Sequence, residues 1–561
     1  RILYNTCNHP MISPWFRPRS GKNTPMMSLP FHSPTSKHTR AVFLAFILPI
    51  LMGLNDAWGL LQGETAFNVR QLGAVGDGMA KDTAAVQKAI DACAAAGGGT
   101  VFFPAGTYLC GSLHLQSRLA LYLDAGAIIK ASPDEADFDP YETLGYHTDS
   151  DRETTYFHYS LLWGENLHRV SILGPGTIDG NRSRRGGPKP IALKRCQDIL
   201  IRDISILNAP NYCVSLLGCD YVNLDGITIR NAYCDGIDPD ACRYVRIADC
   251  HIESWDDAIV LKSSFALGER RATEFVTVTN CVLSTSCNAF KMGTESGGGF
   301  RHVTASNLVM FSPPGKRPMI SGIALESVDG AEVDNITITG VSMRDVRTPI
   351  FLRLGNRGRD METPIPGTLR NIIISDVAGG AATACSITGI PGHPVENVSL
   401  NQVMIEYQGG GAPGTAERAI PELPDEYPDA DMFGELPAYG LYVRHVQGLT
   451  LRDTRWTFAQ PDARPVSLFE DVEDLRVTGL AGQSTGRNPF MIWRDVRGAF
   501  LESTSAPAGT GTYLQVAGEK SQNLRILNSD LREANHAVRT APEVQAGALF
   551  ETGNQHPQEM K

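Results

Sequence analysis

The chain has 561 residues, of which 42% are hydrophobic and 20% charged, and this composition fits a globular protein. The formal net charge of −11 argues against a nucleic-acid binder, because phosphate contacts require a basic surface. It leaves room for a local cationic groove on an acidic protein. The 55 glycines and the many short β-branched runs favour strands joined by turns over helices.

The amino-terminal part has the pattern of an export signal. Residues 1–36 show no periodicity, and we expect an unstructured extension there. A basic stretch at residues 37–40 precedes an apolar run at residues 41–54, which small and polar residues follow. This order predicts a signal peptide over residues 37–59 and a secreted or periplasmic protein. Because the apolar run is short for a bilayer span, an uncleaved membrane anchor is only the alternative.

An internal repeat is the strongest structural signal in the sequence. The stretches that begin at Cys196, Cys219 and Cys242 align with one another, 23 residues apart each time, and looser copies follow. Each stretch alternates apolar and polar residues, turns at Asn, Asp or Gly, and alternates again. One such unit cannot bury its apolar face alone, whereas stacked units can. The repeat predicts an all-β fold, a single-stranded parallel β-helix over residues 60–535, with an evenly spaced β-sandwich as the alternative.

Three segments differ from the repeat. Residues 82–95 have helical spacing, with Asp82 as the expected N-cap, and this capping helix would cover the exposed first rung of the β-helix. Residues 409–437 form a long loop rich in Gly, Pro and acidic residues, and loops of this length are usually functional or disordered. Residues 536–561 are expected to be a flexible tail.

Aspartates cluster in two consecutive rungs. Asp235 and Asp238 belong to one motif, and Asp256 and Asp257 follow about one rung later. We therefore expect Asp235 and Asp256 to lie one above the other, about 5 Å apart. Like charges so close raise one pKa, which leaves a protonated acid beside ionised bases, as glycoside hydrolysis requires. Aspartates that only cap turns, or a calcium site, are the alternatives.

Several motifs resemble a known superfamily. Residues 67–78 and 98–108 resemble the opening of the pectate-lyase-like β-helix superfamily. Three further motifs resemble the polygalacturonases and rhamnogalacturonases of glycoside hydrolase family 28: residues 173–180, 234–238 and 255–262. The resemblance implies a right-handed parallel β-helix and a secreted hydrolase that cleaves a pectin-like polysaccharide.

The resemblance also implies roles for the aspartates. Asp256 matches the general acid, and Asp235 and Asp257 match the residues that activate water for a single displacement with inversion. Asp238 matches a position that supports substrate binding. The resemblance implies neither a cofactor nor a metal. We expect a polysaccharide as the partner, no nucleic acid, no membrane contact after signal cleavage, and a monomer.

The sequence departs from the family pattern at two motifs. Asn288 stands where the family has the histidine of a Gly-His-Gly motif, and an Asn side chain hydrogen-bonds but does not titrate. The Arg-Ile-Lys motif that grips a galacturonate carboxylate is absent, and its expected place, residues 322–327, is mostly apolar and contains Glu326. Either the sugar beside the cleaved bond is neutral, such as rhamnose, or other cations bind its carboxylate.

The candidate cations for binding a sugar carboxylate are Lys262, Lys291 and Arg353. Together with the other polar residues near the aspartates they complete the expected substrate-binding set: Asp238, Lys262, Asn288, Lys291, Glu326 and Arg353. Arg353 lies in an apolar strand and needs a partner, so a salt bridge with Glu326 is the alternative to substrate binding. Two other functions stay open on this fold: a polysaccharide lyase or epimerase, and a non-catalytic carbohydrate-binding β-helix.

Overall fold

The structure is a computed structural model that describes residues 66–557, so the predicted extension and signal peptide, residues 1–59, lie outside it. Within the described residues, 39 strands pair with one another in parallel ladders. No helix among them is long and apolar enough to cross a membrane. The predicted all-β fold and parallel β-helix are confirmed.

The strands form three parallel sheets, which the chain visits in turn in most rungs; after Ala481–Gly482 only two of the three sheets continue. The groove sheet contains Leu113–His114, Ser160–Glu165, Lys189–Lys194, Val214–Leu217, Ile237–Asp240, Ile259–Ser263, Asn288–Ser296, Met319–Ser327, Cys385–Thr388, Met491–Arg494, Thr510–Ala517 and Ala534–Thr540. The second sheet contains Ala66–Asn68, Gly99–Phe103, Leu119–Leu123, His168–Leu173, Gln197–Arg202, Asp220–Asp225, Arg243–Ala248, Thr273–Thr279, Arg497–Glu502, Gln522–Leu527 and Leu549–Thr552.

The third sheet and the long strands complete the rungs. The third sheet contains Asp77–Lys81, Gly106–Cys110, Ala127–Ala131, Thr177–Asp179, Ser205–Leu207, Thr228–Ala232, His251–Ser254, Val282–Thr285, Arg455–Gln460 and Ala481–Gly482. Long strands continue from one sheet into the next: Phe300–Phe311, Glu332–Leu354, Thr368–Ala381, Val395–Gly409, Leu441–Arg452 and Ser467–Thr478.

The register of the strands keeps equivalent residues in line along the β-helix. In the groove sheet, Ile191 pairs with Val214, Val214 with Ile237, and Ile237 with Ile259. All four side chains are buried in the core. Because side chains alternate between the two faces of a strand, the residues next to these four along each strand point away from the core. The outward side chains of the groove sheet therefore form the floor of a groove.

The turns between sheets need left-handed backbone, which Asn and Asp tolerate better than other non-glycine residues. Asp203 and Asp249 have φ values of 64° and 57°, as expected for turn residues. Asn231 has a φ of 52°, and its side chain donates a hydrogen bond of 2.7 Å to Asn208 Oδ1 on the preceding rung. Such stacked amides satisfy polar groups at the corners and hold neighbouring rungs in register.

Helix α1, Thr83–Ala95, lies where the sequence predicts a helix, and it buries Val86, Ala89, Ile90 and Cys93. Its N-cap is Asp82, but the Asp82 carboxylate caps no helix NH group. Instead it accepts hydrogen bonds from the backbone NH groups of Val75 and Gly76, at 2.7 and 3.0 Å. The side chain therefore ties the helix start to the preceding turn. A short helix, α2, spans Arg152–Thr155.

The carboxyl-terminal boundary requires a correction. The sequence predicts a flexible tail at residues 536–561, after a β-helix that ends at residue 535. In the structure Ala534–Thr540 pairs with Thr510–Ala517, and Leu549–Thr552 pairs with Gln522–Leu527. The strands near the end are short and partly exposed, which weakens their apolar alternation and hides them from the sequence pattern.

Candidate active site

The predicted catalytic aspartates come together at the groove sheet. Asp235 and Asp257 directly precede the strands Ile237–Asp240 and Ile259–Ser263, which are neighbours in that sheet. Because Ile237 pairs with Ile259, the register aligns Asp235 with Asp257. The expected alignment of Asp235 with Asp256 is therefore wrong by one residue, since this rung is one residue longer than the spacing of the two motifs.

Asp256 nevertheless belongs to the same cluster. One carboxylate oxygen of Asp256 lies within 4.8 Å of an oxygen of Asp235, and likewise within 4.8 Å of an oxygen of Asp257. The three carboxylates differ in access to solvent, because the Asp256 side chain is 27% exposed and that of Asp235 only 5%. Asp256 therefore forms the open edge of the cluster, and Asp235 lies at its floor.

Lys262 holds the floor of the cluster together. Its ammonium donates to Asp235 Oδ2 at 2.9 Å and to Asp238 Oδ1 at 2.7 Å, and it lies 3.9 Å from the centre of the Tyr212 ring. Burial raises the pKa of Asp235, and the nearby carboxylates Asp238, Asp256 and Asp257 raise it further, while Lys262 opposes them. Burial likewise raises the pKa of Asp238. The floor of the site therefore retains a proton more readily than a free carboxylate does.

Asn288 orients Asp257 from the next rung. Its side-chain amide donates to Asp257 Oδ1 at 2.7 Å, and its backbone NH donates to the same oxygen at 3.0 Å. Ser321 in turn donates to Asn288 Oδ1 at 2.6 Å, which fixes the amide. Lys291 lies 3.3 Å from the other oxygen, Asp257 Oδ2, and 3.9 Å from Glu326. Asp257 is thus bonded on both oxygens by residues of the neighbouring strand.

Arg185 forms an ion pair with Asp256 at the open edge of the site. It belongs to the loop between Thr177–Asp179 and Lys189–Lys194, and 49% of its side chain is exposed. Burial raises the pKa of Asp256, but Arg185 and, more weakly, a hydrogen bond with Cys287 and the charge of Lys291 outweigh it and hold that pKa below its usual range. In the ligand-free protein Asp256 therefore favours its ionised form, whereas Asp235 favours its protonated form.

Arg353 does not belong to the site, which corrects the prediction that it binds substrate. Its side chain is only 1% exposed and donates to the carbonyls of Gly389, Glu422 and Leu423. Among the described residues it forms no salt bridge with Glu326, so the alternative prediction is also wrong. Arg353 instead fastens the long loop of residues 409–437 to the β-helix, because its guanidinium donates hydrogen bonds to backbone carbonyls of both parts.

The remaining predicted residues lie deeper than expected. Glu326, Lys262 and Lys291 are buried beneath the carboxylates and face them rather than open solvent. Two residues outside the predicted set also lie at the site: Arg185, and Tyr427, whose ring centre lies 5.7 Å from the Lys291 ammonium. The basic, glycine-rich stretch that follows residues 173–180 was a possible signal for Arg185. Tyr427 lies in a loop, whose path a repeat pattern does not specify.

A metal ion fits the site poorly. Thiols join carboxylates in two groups whose donor atoms lie within 4.8 Å of one another: Cys234 with Asp235 and Asp256, and Cys287 with Asp256 and Asp257. Burial raises the pKa of both thiols, so they stay protonated and are weak ligands. Calcium prefers oxygen donors, and Arg185 and Lys291 already neutralise two of the carboxylates. The donor set favours acid–base chemistry over calcium binding.

The arrangement supports proton transfer between a bound molecule and the protein. Three carboxylates with different environments converge, and opposite pKa shifts separate Asp235 from Asp256. Pairs of carboxyl groups with separated pKa values supply an acid and a base at the same pH.

Comparison with known proteins finds similarity to enzymes named as polygalacturonases. A family model described as rhamnogalacturonase A/epimerase, pectate lyase-like, matches residues 66–310. A probable polygalacturonase from Vitis vinifera is 27% identical over 67% of this chain and 84% of its own length. The exopolygalacturonase structure from Thermotoga maritima is 22% identical, with a TM-score of 0.54, and covers 61% of this chain and 87% of its own. The family 28 exopolygalacturonase structure from Yersinia enterocolitica is 17% identical, with a TM-score of 0.54 and coverage of 77% and 78%.

Proposed function

We propose that the chain is a member of glycoside hydrolase family 28 that hydrolyses glycosidic bonds of a pectin-like polysaccharide. The observation that carries this proposal is the cluster of Asp235, Asp256 and Asp257 on the groove sheet. Relatives from Vitis vinifera and Platanus acerifolia are named as polygalacturonases, which supports a pectic substrate.

We assign the catalytic roles by combining family resemblance with exposure. Asp256 is the general acid, because it is the carboxylate at the open edge, where a glycosidic oxygen can reach it. Asp257 deprotonates the water, and Asp235, whose pKa burial raises, helps to hold that water at the floor of the site. Lys262 and Asp238 are positioning residues, since Lys262 contacts Asp235, Asp238 contacts Lys262, and both are buried. General acid–base catalysis of this kind typically contributes about 10²–10⁴-fold in rate.

The ion pair with Arg185 bears on the acid role of Asp256. A group that must donate a proton is poorly prepared while a guanidinium keeps it ionised. Arg185 is half exposed, and a galacturonate carboxylate is an alternative partner for it. We therefore propose that Arg185 turns to the carboxylate of the bound sugar, which frees Asp256 to take up its proton. This assigns to Arg185 the carboxylate grip that the missing Arg-Ile-Lys motif supplies elsewhere in the family.

Inversion of configuration is part of the proposal and rests on family resemblance. Carboxyl groups in inverting enzymes are generally about 6.5–9.5 Å apart, and those in retaining enzymes about 5–5.5 Å. The Asp235–Asp256 approach, within 4.8 Å between nearest oxygens, is shorter than the inverting range. The water would therefore bind beside the Asp235–Asp257 pair rather than directly between Asp235 and Asp256.

The experiment that tests the function measures the release of reducing sugar from homogalacturonan and from rhamnogalacturonan. The wild type is compared with Asp256→Asn and with Asp249→Asn, a matched change at a turn away from the groove. We expect release from one polymer, a loss of at least about 10²-fold in Asp256→Asn, and no change in Asp249→Asn. Equal release by all three proteins would contradict the catalytic assignment. New ultraviolet absorbance from an unsaturated product would contradict hydrolysis.

Two further expectations accompany this proposal. We propose export of the protein through the signal at residues 37–59, because a hydrolase of extracellular polysaccharide has to reach its substrate. We also propose that helix α1 caps the β-helix, since its buried face covers the first strands. Amino-terminal sequencing of the protein from its native host tests the export signal, because cleavage near residue 59 is the expected result.

A further inference from the structure

The groove is closed on its carboxyl-terminal side by the loop of residues 409–437. Phe433 and neighbouring apolar side chains of this loop pack on Ala324, Phe351 and Tyr442, which are outward residues of the groove sheet. Arg353 fastens the loop from below. The outward face of the sheet beyond the strand Met319–Ser327 is therefore covered by protein, and a polysaccharide cannot continue along it.

The groove is closed on its amino-terminal side as well. Phe157 follows helix α2 in the chain. It packs on Ala192 and Leu217, which point outward from the groove sheet in the two rungs before the one that carries Asp235. Thr154 in the same segment lies 3.4 Å, oxygen to oxygen, from the Tyr212 hydroxyl beside the catalytic floor. The open length of the groove is thus limited to the few rungs that carry the aspartates.

The third side is closed where two insertions meet. The Asp360 carboxylate accepts a hydrogen bond of 2.6 Å from the backbone NH of Asp149, and Arg359 contacts Asp151 at 3.2 Å. These contacts join the segment before α2 to the loop after Glu332–Leu354. The side on which Asp256 is exposed stays open, so a chain that enters this pocket end-on leaves across the flank beside Asp256.

An aromatic surface lies on that flank. Trp255 directly precedes Asp256, and 45% of its surface is exposed. The Tyr233 ring lies 5.2 Å from it, centre to centre, and Tyr233 is two residues before Asp235. The Lys316 ammonium lies 4.1 Å from the centre of the Trp255 ring. A cation–π contact at an exposed site is worth only about 0.5–1 kcal/mol, so a sugar ring can replace it.

Other exposed aromatic residues differ from Trp255 in one respect. Tyr221, Tyr244, Phe275 and His302 stack face to face on the second sheet, at centre-to-centre distances of 4.7–5.2 Å. Their ring faces cover one another, which stabilises the stack of rungs and leaves only edges for a ligand. Trp255 has no parallel aromatic neighbour among the described residues, since Tyr233 is tilted by 46°. Its face is available to a flat apolar surface.

We infer that Trp255, Tyr233 and Lys316 form a subsite for the departing part of the polysaccharide. The apolar face of the sugar next to the cleaved bond lies on Trp255, and the Lys316 ammonium binds a uronate carboxylate of that chain. The position fits the general acid, because Asp256 protonates the oxygen that joins the departing sugar to the one in the pocket. The inference rests on the proposed function and extends it to end-on attack of the polymer.

The test uses pectic oligosaccharides of increasing length and a short aryl galacturonide. In Trp255→Ala, kcat/KM for trisaccharides and longer chains is expected to fall about tenfold, equivalent to about 1.4 kcal/mol. The loss for the aryl galacturonide is expected to be clearly smaller, because its leaving group occupies less of the subsite. Trp255→Phe should restore most of the activity on long chains. Lys316→Gln should weaken only substrates that carry a carboxylate on the departing sugar, and Tyr244→Ala serves as the matched surface control.

The possible results distinguish a failure of the subsite from a failure of the proposed hydrolase function. A wild type that cleaves none of these substrates overturns the proposed function, and the subsite with it. An active wild type with equal losses at every length in Trp255→Ala overturns the subsite alone. Release of long internal fragments by the wild type overturns end-on attack. Products of one or two sugars, together with a length-dependent loss in Trp255→Ala, support the inference.

Discussion

Replacing Arg185 by Met should shift the basic limb of the pH profile of kcat/KM to higher pH. The guanidinium holds the pKa of Asp256 below its usual range, so its removal raises that pKa. A general acid must be protonated to act, and activity falls as the pH rises through its pKa. If Asp256 is the acid, the variant keeps its activity to higher pH than the wild type does.

The size of the shift follows from exposure. An opposite charge within about 4–6 Å lowers a carboxyl pKa by about 1–3 units. Arg185 is 49% exposed and Asp256 27%, so solvent screens the pair and the lower end of this range applies. We expect a shift of about one unit, or about 1.4 kcal/mol, and about ten times more protonated Asp256 at any pH above its pKa.

The assay is the initial rate of reducing-sugar release at low substrate concentration, measured from pH 3 to pH 9. Arg184→Met is the matched control, because Arg184 is the exposed neighbour of Arg185 in the same loop. The position of each limb is compared, rather than the height of the profile, because Arg185 also contributes to substrate binding in our proposal. Arg184→Met should leave both limbs unchanged.

Two results would refute this reasoning in different ways. If the acidic limb moves up instead, Asp256 acts as a base, and Asp235, whose pKa is raised by burial, supplies the proton. If neither limb moves, the ion pair seen in the ligand-free protein does not control the ionisation of Asp256 during catalysis.

Three further predictions concern the floor, the loop and the product. Lys262→Met leaves buried carboxylates at Asp235 and Asp238 unpaired and should cost about 3–5 kcal/mol of unfolding free energy in urea at pH 7. Because both pKa values are raised, this loss should shrink as the pH falls and the carboxyls protonate; an equal loss at pH 4 would contradict the pairing. Arg353→Met should speed proteolytic cleavage within residues 409–437, whereas exposed Arg452→Met should not. Proton NMR of fresh product should show the inverted anomer first, and a retained anomer would assign a nucleophile.

The repeat could be recognised in the sequence because every rung buries its apolar side chains in the same core. Residues such as Val214 and Ile237 face one continuous core, so their spacing is held constant, and the aspartate motifs follow from the same spacing. The alignment of Asp235 with Asp257 was missed because rungs differ in length by a residue at their turns. A shift of one position changes which side chain faces the groove, and only the strand register determines it.

The walls of the pocket could not be predicted from the sequence. The insertions that close it follow no period, and their contacts join residues far apart in the chain, such as Asp149 and Asp360. The partner of Arg353 could not be predicted from the sequence either, because a lone Arg in an apolar strand fits a ligand, an acidic partner or a ring of carbonyls equally well. The sequence specifies that such a residue needs partners, and the path of the loop decides which ones.

The replacement of the family histidine by Asn288 gains a physical explanation in the network around Asp257. Asn288 donates twice to one oxygen of Asp257, and Ser321 fixes its amide from the next rung. Neither contact requires a titrating group, so Asn288 orients Asp257, the carboxylate that we propose activates water, without adding a charge. The cations near the carboxylates lie at two different depths. Lys291 neutralises Asp257 from below, and Arg185 stands at the edge where an acidic sugar would arrive.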